Sequence, residues 1–194
     1  MPQREAASDY AERMTTRGFA DYEHLGFTRH GSHTLAVEIR PAVLGDVPRI
    51  LELQERAGRA VPEFGAMVRA LADEQRLTVA AWTDGVMTGW GKTHYWAGAD
   101  APAPAGHYLG GVTVDPSFRR RGIGTALTQA RLDWIWQRAG DAWYVVNVDN
   151  RASIDLHSRW GFVEVARAAR FHTTEFAGGV GLLMRGTRPE RSGL

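Results

Sequence analysis

No cysteine occurs in the 194-residue sequence, so disulfides, thiolate metal sites and a cysteine nucleophile are excluded, and nothing points to an oxidising compartment. Charge of one sign is lacking as well: 23 basic residues stand against 22 acidic ones, a formal +1. Binding a nucleic acid means neutralising many phosphates, so no nucleic-acid partner is expected and any basic site is local. No apolar run approaches the roughly 18 residues that a membrane span requires. The segment MPQREAASDYAERM mixes both charges and carries no apolar stretch of the secretory kind. A soluble cytoplasmic protein without a membrane partner is therefore expected. Lysine is nearly missing, Lys92 being the only one, and every other fixed cation is arginine. His24, His30 and His33 have no carboxylate or further histidine at ligand spacing, so no metal is expected either.

Hydrophobic residues make up 44% of the chain, enough for one well-filled core, and the length is short for two. Residues 1–35 read as an arm, partly helical from Ser8 to Gly18, that docks on the domain or on a second subunit, so a homodimer stays open. Residues 36–188 form the domain and 189–194 a tail. LAVEIRPA alternates as a strand stopped by Pro41, and Asp46 is placed to cap a helix through VPRILELQERAG with Val47, Ile50, Leu51 and Leu53 inward. A second helix is expected over PEFGAMVRALADE with Phe64, Met67, Val68 and Leu71 inward. RLTVAAW and VMTGWGKTHYW flank Asp84-Gly85, a strong hairpin signal. HYLGGVTV is a strand with two interior glycines, the mark of a bulge or a close backbone approach. GTALTQARLDWIWQRAG reads as a helix and AWYVVNV as a buried strand. ASIDLHSRW reads as a short helix, and FVEVARAA and GVGLLMR as the last strands. Helices interleaved with antiparallel hairpins around one mixed sheet give an α/β (α+β) fold.

The stretch DPSFRRRGIGTAL carries the most chemistry. Strand, glycine-containing turn and helix together present free backbone N–H groups and the positive end of a helix dipole to an anion. Gly122 and Gly124 let a phosphate approach the main chain, and the arginines add attraction and bidentate contacts. Taken alone, the pattern serves a phosphate seat or a solvated basic turn equally well, since it lacks both the Lys-Ser/Thr ending of a nucleotide P-loop and the third glycine of a dinucleotide fingerprint.

VTVDPSFRRRGIGTAL resembles the pyrophosphate-binding signature of the GNAT superfamily of acyl-CoA N-acyltransferases, Gln/Arg-x-x-Gly-x-Gly/Ala after a strand ending in Val-x-Pro. Arg119, Gly122 and Gly124 occupy those positions, after Val114-Asp115-Pro116. VNVDNRASIDLHSRWGF resembles the family's strand-loop-helix element, with Val146, Asn150, Leu156 and Gly161-Phe162 in place. The resemblance spans about residues 37–185. It implies a GNAT-type mixed, mostly antiparallel sheet flanked by helices, whose central parallel strands, here HYLGGVTV and AWYVVNV, splay apart. Acetyl-CoA, as co-substrate, would insert its pantetheine into the gap beside Val112, Thr113 and Val114. The segment Arg119, Arg120, Arg121, Gly122, Ile123, Gly124 and Thr125 would cradle the pyrophosphate, and Asn150 and Ser153 would bind the cofactor or hold the loop beside it. An amine then attacks the thioester directly, a route consistent with the absence of cysteine.

Two departures from the family bear on catalysis. Many members carry a tyrosine just after the leucine of the second motif, placed to protonate the leaving thiolate, and this sequence has His157, whose imidazole, with a pKa of about 6.5, could donate instead. Members often carry a glutamate on the strand before the pyrophosphate loop, and HYLGGVTV has none. His94 is the favoured substitute as base, with His107, His172 and Glu175 as alternatives. Trp90 and Trp96, at even spacing on one strand, would wall an acceptor pocket. The function expected is transfer of acetyl to a primary amine of a small molecule, such as an antibiotic or an amino-acid derivative. Acetylation of a protein or peptide amine, with the arm shaping a wider groove, and a non-catalytic acyl-CoA-binding module remain the alternatives.

Overall fold

The computed structural model describes residues 36–176 and 178–190. The arm predicted for 1–35, with its helix and three histidines, and residues 191–194 of the tail lie outside the described residues. Strands run over Glu38–Pro41 (β1), Thr78–Thr83 (β2), Val86–Trp96 (β3), Gly106–Val114 (β4), Asp141–Asn147 (β5), Val163–Ala168 (β6), Arg170–Phe171 (β7), Thr174–Glu175 (β8) and Gly181–Thr187 (β9). Helices cover Val47–Arg56 (α1), Phe64–Ala72 (α2), Ile123–Trp136 (α3) and Arg151–Ser158 (α4). Seven strands form one sheet in the order β1-β2-β3-β4-β5-β9-β6. Every neighbouring pair is antiparallel except β4 and β5, which are parallel. This is the mixed, mostly antiparallel sheet expected, flanked by helices.

The first helix forms where the sequence places it, because Val47, Ile50 and Leu53 recur on one face and all reach 0% exposure. They pack with Met67 of α2, Ala80 of β2, and Met87 and Trp90 of β3. Asp46 is not a side-chain cap. A 3₁₀ turn over Leu44–Asp46 precedes the helix, so the carboxylate turns back to accept from Val43 N–H (2.9 Å) and from both arms of Arg40 (2.7 and 3.0 Å). Phe64, expected inward, is 51% exposed: it is the first residue of α2, and Met67 one turn later fills the core instead. The hairpin at Asp84-Gly85 forms with φ of 50° and 75°, the paired left-handed geometry that an Asp-Gly turn favours.

The middle of the sheet is irregular along both edges of β4. Between β3 and β4 the register passes from Gly91↔Val112 to Thr93↔Leu109, so Gly110 and Gly111 together oppose Lys92 alone. The bulge expected at these glycines is present, and its extra residue bends β4. Across the other edge, β4 and β5 pair only at Tyr108↔Trp143 and then separate. Helix α3 lies close on the sheet because glycines make room for it: a Cβ at Gly89 would stand 3.0 Å from Leu127 Cδ1, and one at Gly91 would stand 3.1 Å from Arg131 Nε. The β7–β8 hairpin, not predicted from the sequence, folds over residues 170–175.

A cleft between the two splayed strands

Past Tyr108↔Trp143, the facing edges of β4 and β5 have no strand partner among the described residues, while β3 and β9 satisfy their far edges. Between them lies a cleft of about 520 Å³, lined by Leu109–Val112 and Val114 of β4 and by Tyr144–Asn147 of β5. Gly124 of α3, Asn150, Ser153, Leu156 and His157 of the α4 segment, His94 and Trp96 of β3, and the β7–β8 hairpin complete its walls. Unpaired backbone donors and acceptors along both strands can receive an extended group as a further strand would be received.

At the end of β4 the chain turns through Asp115, which accepts from Ser117 N–H (3.0 Å) and pairs with Arg56 (3.1 Å). These partners hold its carboxyl below the usual range although its burial opposes them. Arg120 and Gly122 take left-handed φ of 63° and 83°, and Gly122 is the N-terminal flank of α3. Among the described residues no backbone carbonyl accepts from the amides of Arg120 through Thr125, and the first helical bond runs from Ala126 N–H to Gly122 O (3.0 Å). Six consecutive free N–H groups beside a helix N-terminus can bind an anion. The arginine side chains stand apart from this seat: all three are exposed, Arg121 lies 5.4 Å from the Phe118 ring, and Arg119 Nε reaches Val114 O at 3.4 Å.

Of the residues singled out in the sequence, Val112, Val114, Gly124, Asn150, Ser153, His157 and His94 meet in this cleft. Arg119, Arg120, Arg121, Gly122 and Thr125 do not line it, and neither do Thr113, which donates to Gln54 Oε1, and Ile123, which is 1% exposed in the core. Asn150 Oδ1 accepts from Ser153 N–H (3.2 Å), so its side chain caps α4. Among the alternative bases, His172 lines the cleft, but His107 is sandwiched between Tyr95 and Trp134, and Glu175 is exposed outside it. Trp90, expected beside Trp96, instead donates to Gln54 Oε1 within the core. Trp90 packs in the core with Ile50, Leu53 and Met67, and of the two tryptophans only Trp96 lines the cleft.

The titratable groups here are set by burial. His94 packs over the bulge, its Nε2 3.0 Å from where a Gly110 Cβ would be, which is why position 110 has no side chain. Burial first, then Lys92 and Arg76, lowers its pKa to about 4, so the ring is neutral at pH 7. His157 is 4% exposed and likewise lowered to about 4 by burial, opposed by its bond to Ser153 and aided by Arg131. Its Nδ1–H donates to Ser153 O (2.7 Å), leaving Nε2 as an acceptor in the neutral ring.

Two residues that sequence reasoning missed stand beside these. Tyr144 stacks on His157 at 4.2 Å between centroids, lines the cleft, and its buried hydroxyl has no partner among the described residues; burial pushes its pKa up to about 12. Arg131 has 0% exposure and no carboxylate partner among the described residues. Its guanidinium donates to the carbonyls of Leu127, Lys92 and Gly110, clamping the two sides of the bulge, and burial lowers its pKa to about 9.

The acetyltransferase (GNAT) family matches residues 47–162. No curated protein matches the sequence at a significant level. Among solved structures, the ribosomal-protein-S18-alanine N-acetyltransferase from Escherichia coli superposes with a TM-score of 0.64 at 21% identity, over 81% of this chain and 98% of that one. YncA from Salmonella typhimurium, solved with its cofactor acetyl-CoA, gives 0.64 at 19% identity over 81% and 97%. Arabidopsis thaliana NAA60, in complex with a bisubstrate analogue, gives 0.60 at 17% over 78% and 97%. These likenesses concern the fold.

Proposed function

The chain belongs to the GNAT acetyltransferase family, and from that premise we propose that it transfers acetyl from acetyl-CoA to the primary amine of a small molecule by direct attack within a ternary complex. One observation carries the reading: two parallel strands separate after a single pair of residues, and the cleft between them reaches the free amides at the N-terminus of a helix. An extended pantetheine fits the first element and a pyrophosphate the second. The amides of Arg120 to Thr125 would take the pyrophosphate, and the backbone of Val112 and Val114 the pantetheine amides. Thr113 would contribute only main-chain groups, since its hydroxyl is engaged elsewhere.

In the transfer, the amine nitrogen bonds to the thioester carbon, the C–S bond breaks, and the proton lost from nitrogen is balanced by one gained on sulfur. His94, neutral and set on the bulge, is the proposed acceptor of the first proton, directly or through water. For the second, the tautomer of His157 is unhelpful, because the nitrogen not bonded to Ser153 carries no proton. The unpartnered phenol of Tyr144 does carry one, so the role expected of His157 divides: Tyr144 donates and His157 fixes its ring. His94 then gives up the proton it took and the phenolate at Tyr144 regains one, so amine and thioester become amide and thiol with neither side chain changed.

Two measurements test the reading. Acetyl-CoA should raise the thermal midpoint while adenosine alone does little, and an amine panel should release free CoA thiol at a rate set by the amine. Absence of any stabilisation by acetyl-CoA would refute the proposal. Binding without thiol release from any amine would favour a non-catalytic module.

A further inference from the structure

Resting on the acetyl-transfer reading, we propose that the acceptor is a small amine that also carries an aromatic ring and a carboxylate, that is, an aromatic amino acid or a close analogue. Three observations converge on it. First, no aspartate or glutamate lines the cleft among the described residues. A polycationic acceptor, such as a polyamine or a lysine-rich peptide, would find no countercharge and would surrender the hydration of several ammonium groups.

Second, one end of the cleft is aromatic. Trp96 stacks on His172 with centroids 4.4 Å apart and planes 7° apart, and Tyr108 meets the same imidazole edge-on at 5.3 Å. Phe171 and Phe176 stand edge to face at 6.1 Å beside them. Tyr108, Phe171 and His172 are buried, whereas Trp96 and Phe176 are half-buried and keep ring surface turned to the cleft. Tyr108 is locked to Pro104 O at 2.7 Å and lies 3.4 Å from His172 Nε2, so this wall is set before a ligand arrives. A preformed aromatic wall selects a flat apolar group and orders little on binding.

Third, the cleft has one permanent cation among the described residues. Arg59 lines it, is exposed, and its guanidinium has no hydrogen bond or ion pair among the described residues. Its backbone is fixed nonetheless: Arg59 N–H donates to Gln54 O (2.9 Å), and Gln54 also holds Thr113 of β4. A free guanidinium on a pinned backbone is suited to bidentate capture of a carboxylate.

The test compares initial rates of thiol release from acetyl-CoA with L-tryptophan, L-tryptophanamide, tryptamine and spermidine, in the full-length protein and in Arg59→Ala and Trp96→Ala. The expectation is that kcat/KM for L-tryptophan exceeds that for its amide and for tryptamine by about tenfold or more, and that spermidine is slowest. Arg59→Ala should abolish the preference for the acid and leave the KM of acetyl-CoA within about twofold. Trp96→Ala should raise KM for all three indoles more than it lowers kcat. If Arg59→Ala instead raises the KM of acetyl-CoA and preserves the acid preference, the arginine serves the co-substrate's phosphates and the carboxylate assignment is overturned. If spermidine is the best acceptor, or if acetyl-CoA binds and none of the four is acetylated, the acceptor class is overturned while the transferase reading stands. If acetyl-CoA gives no thermal shift, both fall together.

Discussion

Tyr144 and His157 show how one side chain's role depends on the partner its neighbour has taken. A histidine with a pKa near 6.5 and a free N–H would be a proton donor, but burial and the Ser153 carbonyl remove both conditions. The stacked phenol, unpartnered among the described residues, is the donor proposed in its place. Tyr144→Phe keeps the ring and deletes only the hydroxyl, so kcat should fall by about 10²-fold while acetyl-CoA affinity stays within about twofold. His157→Phe keeps an aromatic surface against Tyr144 and should cost less than about tenfold in kcat. Equal losses in the two variants, or an inert Tyr144→Phe, would return the role to His157 or to water. Position 157 was legible as a candidate from its motif. Tyr144 was not, because it reads as one aromatic in a buried strand, and only the packing shows its hydroxyl without a partner.

Among the elements, the seat at the start of α3 separates backbone requirements from site requirements. Gly122 has a φ of 83°, at which a side chain would be strained, although a Cβ there would meet nothing within 4 Å. At Gly124 the reverse holds: the φ is ordinary, and a Cβ would stand 3.8 Å from Leu156 Cδ2 and 3.9 Å from Val114 Cγ2, normal contacts, but in the lining of the cleft. Gly124→Ala should therefore leave the urea midpoint unchanged or slightly raised, through better helix propensity, and weaken acetyl-CoA by about tenfold or more. Gly122→Ala should cost about 1 kcal/mol of stability. Calorimetric titration beside a denaturation series separates the two, and an affinity loss at position 124 that merely tracks a stability loss would count against the seat. The glycines, the hairpin turn and the α3 seat were legible because each is a backbone demand that few residue types satisfy. The β7–β8 hairpin was not, since strands of two residues leave no periodicity, and the bulge clamp was hidden because Arg131 occupies a position that helical spacing assigns equally to an apolar residue.

Across the whole molecule, the site's neutral imidazoles become a liability in acid. His94 and His157 both titrate near 4 when folded and near 6.5 when unfolded, so between those values the unfolded chain binds protons that the folded chain refuses. Stability is fully present above about pH 6.5 and is lost as pH falls toward 4, by up to about 1.4 kcal/mol per pH unit for each ring. Both rings act in the same direction, so stability falls with pH across this window. The aspartates act in a lower window: Asp46 and Asp115 are held below their usual values, so their contribution is lost only below about pH 4. Urea midpoints measured from pH 7.5 to 4.5 should fall steadily, and the double variant His94→Gln, His157→Gln should show a much shallower slope even if it is less stable at pH 7.5. Slope rather than absolute stability is the readout, because a packing defect lowers the curve without flattening it. Identical slopes in the two proteins would mean that these rings can be protonated in place, and the neutral His94 proposed as proton acceptor would lose its basis.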